Sequence, residues 1–233
     1  MTAFILKMIA LSAMLIDHAG AAFPDTIPFW FRGIGRLAYP IFVFLLAESF
    51  RHTKAREKFL IRLLAFAIIS EIPYDFALGN EINFIDNTNI FYTLFLGGIA
   101  ICQYERFKER CGWQTTAVIA AILPSVLLAE ILAVDYGGMG VLFIFAMYAI
   151  KPKPPQITAF GAFTLSQFVP LAAAYSMGIE IPQKYLLMMP FSLAAVPLIV
   201  LYNGERGIKV KWLFYLAYPL HLTVLAVIAA AIN

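Results

Sequence analysis

Residues 3–23, AFILKMIALSAMLIDHAGAAF, have the length and composition of a membrane-spanning helix, but they carry two ionisable side chains near their end. A bilayer core of about 30 Å is crossed by roughly 20 apolar residues in a helix. Asp17 and His18 interrupt the apolar run, and such groups are costly in lipid unless they face a partner, a cavity or water. The run is too long for the apolar core of a cleaved signal peptide, so we interpret it as a retained span with a polar site.

The whole chain has the composition of a polytopic membrane protein. Of its 233 residues, 62% are hydrophobic, only 13% are charged, and 21 are phenylalanine. Too few polar side chains remain to cover a water-soluble globule. We therefore expect an all-α fold, a polytopic transmembrane helical bundle that forms one integral membrane domain over residues 1–233 and contacts membrane lipid.

Apolar windows of transmembrane length predict nine spans, and the short windows leave eight to ten open. They cover residues 3–23, 28–50, 57–78, 90–104, 116–132, 136–150, 157–177, 185–203 and 210–231. Basic loops at 51–58, 105–111, 151–156 and 204–211 alternate with loops that carry Glu81, Asp86, Asp135 and Glu180. Short loops rich in Lys and Arg stay in the cytoplasm. The alternation predicts a cytoplasmic N-terminus and an external C-terminus.

Four further ionisable residues lie in the outer halves of the second and third predicted spans. Arg32 and Arg36 are four residues apart, as are Glu71 and Asp75, so each pair lies on one helical face. If the two faces oppose each other, these residues form ion pairs that lock the two helices together, or they belong to a polar site. Both interpretations stay open from the sequence.

The histidines are the best candidates for proton transfer. Asp17 and His18 point about 100° apart on a helix and cannot share a face. Histidine is the side chain best suited to move a proton near neutral pH, so His18 is the first candidate base and His221, in the last predicted span, is the second. A hydrogen-bonded packing role is the alternative for each. The candidate catalytic set is His18, Asp17, Arg36, Glu71, Asp75 and His221.

Other classes of site find little support in the sequence. The three histidines are far apart, and Cys102 and Cys111 lack ligand spacing, so no metal site is predicted. Two cysteines are too few for a disulfide framework. DYGGMG, at residues 135–140, is interpreted as a turn. The net charge of +3 reflects the basic loops and does not indicate nucleic-acid binding.

Five polar motifs carry a resemblance to a known family. They are LKMIALSAMLIDHAGAAF at 6–23, GRLAYPIFVFLLAESFRHT at 35–53, RLLAFAIISEIPYDFA at 62–77, NIFYTLFLGG at 89–98 and WLFYLAYPLH at 212–221. In order and spacing the chain resembles the TraX family of integral membrane proteins over nearly its whole length. The namesake of that family is associated with N-terminal acetylation of conjugative pilin. The resemblance implies an acyltransferase that uses acetyl-CoA in the bacterial plasma (inner) membrane.

The first two predicted helices also resemble those of transmembrane acyltransferases such as heparan-glucosaminide acetyltransferase. In those enzymes a histidine early in the fold is catalytic, which implies the same role for His18. The acceptor of the acetyl group is left open: a pilin-like peptide, a glycan, a lipid or a small molecule.

Residues and resemblance together predict a mechanism. Acetyl-CoA enters from the cytoplasm, where a basic loop attracts its phosphates, and His18 removes a proton from an acceptor amine or hydroxyl. Arg36 stabilises the oxyanion or binds the acceptor, while one of the carboxylates of Asp17, Glu71 and Asp75 holds the tautomer of the histidine. The predicted cofactor-binding residues are Arg51, Lys54, Arg56 and Lys58.

Three alternatives remain at this point. Transfer is either direct or through an acetyl-histidine intermediate. The same buried ionisable groups also suit a proton-coupled transporter, which uses them without making a covalent bond. A non-catalytic membrane assembly factor is the third possibility.

Overall fold

The computed structural model describes residues 1–78, 82, 84, 88–111, 115–151 and 153–232, and the regular structure of these residues is helical throughout. The all-α prediction is confirmed for this part of the chain. Glu81 and Asp86, which the topology prediction used, lie outside the described residues.

Twelve α-helices and one 3-10 helix follow one another along the described chain. The first six are α1 (Ala3–Ala22), α2 (Trp30–Gly35), α3 (Ala38–His52), α4 (Arg56–Leu78), α5 (Ile90–Cys111) and α6 (Thr115–Ile131). The others are α7 (Gly137–Ala149), α8 (Lys153–Ser166), α9 (Phe168–Ser176), α10 (Gln183–Met188), the 3-10 helix Met189–Ala194, α11 (Ala195–Val200) and α12 (Lys211–Ile232). Their outer bounds follow the nine apolar windows closely, although α5 continues seven residues beyond the predicted end at 104.

Three of the windows contain breaks that hydropathy did not predict. The window 28–50 is divided between α2 and α3, where the N–H groups of Arg36 and Leu37 bond to carbonyl oxygens three residues earlier, at 3.1 Å each. The window 157–177 is divided between α8 and α9, and the window 185–203 contains three short helical pieces. Hydropathy reports burial in lipid and is insensitive to a local turn, so a window cannot show such breaks.

Within the described residues, four helical segments are long and apolar enough to cross a membrane. They are Ala3–Ala22, Trp30–His52, Pro154–Ser176 and Trp212–Ile232. Large apolar side chains such as those of Ile131, Leu165 and Ile232 are exposed on the surface, as expected where helices contact lipid. The chain is an integral membrane protein. The count of nine spans and the orientation of the N-terminus stay predictions.

The packing of α1 and α12 positions the polar groups. α1 packs against α2, α3 and α12, whereas α4 packs mainly against α12 and α5. The loop before α12 is tied to the start of α1, because the N–H of Ala3 donates to the carbonyl of Glu205 at 2.8 Å and that of Phe4 donates to the carbonyl of Arg206 at 3.1 Å. The first and last helices thus begin side by side.

Candidate functional site

A cavity of about 270 Å³ lies among α1, α3, α4, α5 and α12. Its walls are mostly apolar, with side chains such as Phe42, Leu46 and Phe91. Its ionisable groups form two sets at different levels of α1. Lys7 precedes Asp17 by ten residues, which corresponds to about 15 Å along the helix. We call one group the histidine end, formed by Asp17, His18, Tyr39, Asp135 and Tyr136, and the other the basic end, formed by Lys7, Arg62, Arg206 and Lys209.

The two intramembrane histidines are brought into contact from opposite ends of the chain. Nδ1 of His18 in α1 lies 2.6 Å from Nε2 of His221 in α12. Nδ1 of His221 lies 2.7 Å from the carbonyl oxygen of Ala217. His18 lines the cavity, whereas His221 lies behind it, outside the lining formed by the described residues.

These contacts fix the tautomers when both rings are neutral. A carbonyl oxygen only accepts, so Nδ1 of His221 carries the proton and its Nε2 accepts. Nδ1 of His18 must then donate to His221, and Nε2 of His18 keeps a free lone pair. Tyr218 packs edge-on against both rings, with centroids 5.7 Å from His18 and 5.5 Å from His221, and holds them in place. The arrangement suits a base oriented by a second histidine.

Asp17 is bound to α2 and does not orient His18. Its Oδ2 lies 2.8 Å from Nη1 of Arg32, and its backbone carbonyl accepts from the same nitrogen at 3.2 Å. Its Oδ1 is buried and has no hydrogen-bond partner among the described residues. The prediction that a carboxylate of Asp17, Glu71 or Asp75 holds the tautomer of His18 is therefore wrong for Asp17, because His221 takes that position.

Gly35 makes the close approach of α1 and α2 possible. A Cβ atom built there would lie 2.2 Å from Cβ of Asp17, a separation that no real side chain tolerates. Glycine lets the backbone of α2 lie directly against the Asp17 side chain. Gly35 is thus a positioning residue that sequence reasoning missed.

Arg36 faces a different partner from the one predicted. Its Nη1 donates to the Tyr136 hydroxyl at 3.5 Å, and the carboxylates of Asp17 and Asp135 act on it electrostatically. The Tyr136 ring stacks on Tyr39 with centroids 3.8 Å apart. Arg36 reaches the cavity only through Tyr136, since it is not itself among the described residues that line it.

Arg36 and Glu71 do not form the ion pair that was one of the two interpretations left open by the sequence. Glu71 is fully buried and accepts hydrogen bonds from the side-chain amide and the backbone N–H of Asn89, the latter at 3.3 Å. The physical reason is packing: α4 lies against α12 and α5, so its acidic face meets the start of α5 rather than α2. Neither Glu71 nor Asp75, which is also buried, lines the cavity as described.

Two of the four predicted cofactor-binding residues have structural partners instead. Arg51 binds Glu48 and donates from Nη2 to the backbone carbonyls at the end of α7, where such contacts satisfy groups that the helix leaves unpaired. Arg56 donates to the Tyr148 hydroxyl at 3.2 Å and lies 3.8 Å from Glu105.

Lys54 and Lys58, the other two, are exposed. None of the four is among the described residues of the cavity lining. The structure instead brings Lys7, Arg62, Arg206 and Lys209 to the cavity. Sequence reasoning counted Arg206 and Lys209 as loop charges and did not single out Lys7 or Arg62.

The segment predicted as a turn, residues 135–140, also contributes to the site, although only Asp135 and Tyr136 form a turn and α7 begins at Gly137. Tyr136 has a left-handed backbone with φ of 63°, and this conformation places a non-glycine residue at the start of α7. The carbonyl of Asp135 accepts from the Thr93 hydroxyl, and its N–H donates to the carbonyl of Thr88 at 3.1 Å. The only sequence signal for this contribution was an acidic residue, Asp135, directly before an aromatic one, Tyr136, at the start of an apolar helix.

Sequence comparisons relate the chain to known proteins over nearly its whole length. The chain is 27% identical over 238 residues, covering 96% of this chain and 94% of the other, to the probable fimbrial assembly protein FimC, serogroup H1, of Dichelobacter nodosus. No solved structure matches the chain at a significant level. The family model described as TraX protein matches residues 3–229. Since that match covers nearly the whole chain, including both histidines of the contact and the described cavity lining, the chain belongs to the TraX family.

Proposed function

We propose that this protein is a membrane-embedded acyltransferase that moves an acetyl group from cytoplasmic acetyl-CoA to an acceptor amine or hydroxyl, with His18 as the general base. The observation that carries the proposal is one cavity that has a base with a free lone pair at one end and four cations at the other. In acetyl-CoA, the thioester matches the histidine end and the anionic nucleotide matches the basic end.

The size and walls of the cavity suit the arm of the acyl donor. Ligand pockets usually have about 300–1,000 Å³ and are mostly apolar with a few placed polar groups. A cavity of about 270 Å³ lies at the lower limit, so it accommodates a pantetheine arm and acetyl group and leaves the nucleotide outside. The polar atoms of the histidine end then meet the thioester.

The proton transfer follows from the tautomers. As the acceptor nitrogen or oxygen attacks the thioester carbonyl carbon, Nε2 of His18 takes its proton. The imidazolium that forms keeps its Nδ1–H bond to His221, which stabilises the new charge. When the C–S bond breaks, the same proton passes to the CoA sulfur, and the products are the acetylated acceptor and CoA thiol.

Within this proposal, Tyr39 is the oxyanion donor to test, and its hydroxyl lies close to Gly140 of α7. Its hydroxyl is buried, belongs to a lining residue and has no hydrogen-bond partner among the described residues. A pre-placed donor of this kind stabilises charge that develops on the carbonyl oxygen. In this assignment Arg36 acts through Tyr136, which stacks on Tyr39.

The first acceptor to test is a pilin-like peptide with a free N-terminal amine. This choice rests on the pilin acetylation implied by the family resemblance and on the name of the fimbrial assembly relative. Glycan, lipid and small-molecule acceptors follow if the peptide is not modified.

The deciding experiment measures CoA thiol released from acetyl-CoA by the purified protein with a peptide acceptor. His18→Ala should lower turnover by about 10²- to 10⁴-fold, the usual contribution of a general base. His52→Ala is the matched control, because this histidine is exposed and is not among the described residues that line the cavity. Near wild-type turnover in His18→Ala contradicts the assignment. Proton flux in liposomes without any release of CoA would indicate the transporter instead.

A further inference from the structure

We infer that the basic end of the cavity, Lys7, Arg62, Arg206 and Lys209, binds the phosphates of the acyl-CoA nucleotide. The inference rests on the proposed function for the identity of the ligand. It assigns phosphate binding to residues other than those of the 51–58 loop.

The first support is uncompensated charge. The four cations come from α1, α4 and the loop before α12, and all line one cavity. None of them forms an ion pair with a described carboxylate. The acidic residues of the described lining, Asp17 and Asp135, both belong to the histidine end. Four positive charges at the mouth of an apolar cavity attract and hold an anion.

The second support is that the two inner cations are held in place by aromatic rings. The Lys7 ammonium lies 5.2 Å from the centroid of Phe214, and the Arg62 guanidinium lies 5.6 Å from that of Phe59. The Arg62 guanidinium also hydrogen-bonds to the Tyr215 side chain. No described carboxylate forms an ion pair with either cation, so a phosphate is a charge-matched ligand for both.

The third support is the attachment of the outer cations. Arg206 and Lys209 are exposed side chains on the loop before α12. The backbone of this loop is bonded to the first turn of α1, three residues before Lys7, through the carbonyls of Glu205 and Arg206. The loop therefore keeps its cations beside Lys7, where the positive charges of Arg206 and Lys7 repel each other.

Distance along α1 connects this anion site to the chemistry. Lys7 lies about 15 Å along the helix from the level of Asp17 and His18. A ligand that holds its phosphates at the basic end can extend a flexible arm through the apolar middle of the cavity to His18. The exposed positions of Arg206 and Lys209 leave room for a nucleotide outside the cavity.

A phospholipid head group carries the same phosphate chemistry, so the experiment must separate the two sources. The protein is placed in nanodiscs of phosphatidylcholine, and its affinities for CoA and for pantetheine are measured. The ratio of the two affinities reports the nucleotide portion of CoA, which carries all of its phosphates, and the cation variants then report the phosphates within that portion. The measurement is repeated in nanodiscs that contain phosphatidylglycerol.

Arg206→Gln combined with Lys209→Gln should weaken CoA binding about tenfold or more and leave pantetheine binding unchanged. Lys54→Gln combined with Lys58→Gln is the matched control, because it also removes two exposed basic-loop cations but none that line the cavity, and it should leave both affinities unchanged. Lys7→Met tests the inner cations and should weaken CoA binding in the same way.

The inference is overturned if the control weakens CoA binding and the variants of the basic end do not. It is also overturned if wild-type protein binds CoA no more tightly than pantetheine. In that case, the basic end is a lipid site if phosphatidylglycerol stabilises the wild-type protein but not Arg206→Gln with Lys209→Gln.

Failure of this inference is distinguishable from failure of the proposed function. CoA binding that depends on these cations, without acetyl transfer to any acceptor, supports the anion site and rejects the proposed enzymatic activity. Acetyl transfer that does not change when these cations are removed supports the enzyme and rejects the anion site.

Discussion

The position of one proton on His18 decides what its ring can do. With Nδ1–H donated to His221, the Nε2 lone pair is free to act as a base; in the other tautomer the ring would present a donor to the substrate. The Ala217 carbonyl selects the tautomer of His221, which in turn selects that of His18. A backbone group two hydrogen bonds away thus sets the role of the side chain in the cavity.

His221→Phe removes the acceptor of this hydrogen bond and keeps a ring of similar size. We expect kcat to fall about 10- to 100-fold with little change in KM for acetyl-CoA, as is typical when the partner that orients a functional histidine is lost. His221→Gln retains an oxygen that can accept from His18 and should recover part of the loss. Steady-state kinetics checks both variants. A change in thermal stability without a change in kcat, in both variants, would mean that His221 only packs.

Gly35→Ala tests the close approach of α2 to Asp17. Because the new Cβ would lie 2.2 Å from Cβ of Asp17, the two helices must separate, which costs about 1–3 kcal/mol. Gly161→Ala in α8 is the control, since no atom lies within 4 Å of its Cβ position and alanine favours a helix. Thermal unfolding in detergent should show a lower midpoint for Gly35→Ala only. Equal midpoints would contradict the contact.

At the level of elements, α4 is held by an interaction that the sequence did not indicate. Glu71 and Asp75 do share a helical face and both are buried, as the spacing of four predicted. The predicted neighbour of this face was wrong, because α4 turns it toward the start of α5. There the side chain of Asn89 binds Glu71 and also donates to the carbonyl of Ala67 at 2.8 Å. Periodicity gives the face of a helix, and only packing gives its neighbour.

Asn89→Ala should destabilise the protein by about 1–3 kcal/mol, because it leaves the buried Glu71 without its hydrogen-bond donors from the amide side chain. Turnover per folded molecule should remain near wild type, since neither residue lines the cavity as described. Unfolding midpoints and kinetics on matched preparations measure the two effects. Restoration of an unstable Arg36→Glu variant by Glu71→Arg would contradict this assignment and revive the ion pair between α2 and α4.

For the whole molecule, the site depends on the contact between the first helix and the last. His18 and His221 are 203 residues apart, and the loop before α12 closes on the first turn of α1. The basic end therefore combines Lys7 with Arg206 and Lys209. The proposed reaction also needs this end to face the cytoplasm, which is the side where acetyl-CoA is supplied.

Cysteine labelling of intact cells tests that orientation. In a background with Cys102→Ala and Cys111→Ala, we expect Lys54→Cys and Lys209→Cys to react only after the inner membrane is made permeable. Ala231→Cys, at the end of α12, should react with an impermeant reagent from outside. Lys and Arg in short loops favour the cytoplasm, which is the physical reason for the expectation. Labelling of Lys209→Cys from outside would place the basic end on the wrong side for acetyl-CoA.

The sequence by itself determined the helical membrane fold, the approximate bounds of its helices and the family, because apolar length and polar motifs are local properties of the chain. It also singled out His18 and His221 as the ionisable rings within the apolar helices. Only the tertiary structure decided that these rings touch, that Asp17 pairs with Arg32 and Glu71 with Asn89, and that four scattered cations reach one cavity. The physical reason is that a buried polar group must find a partner, but which partner it finds depends on how helices distant in sequence pack together.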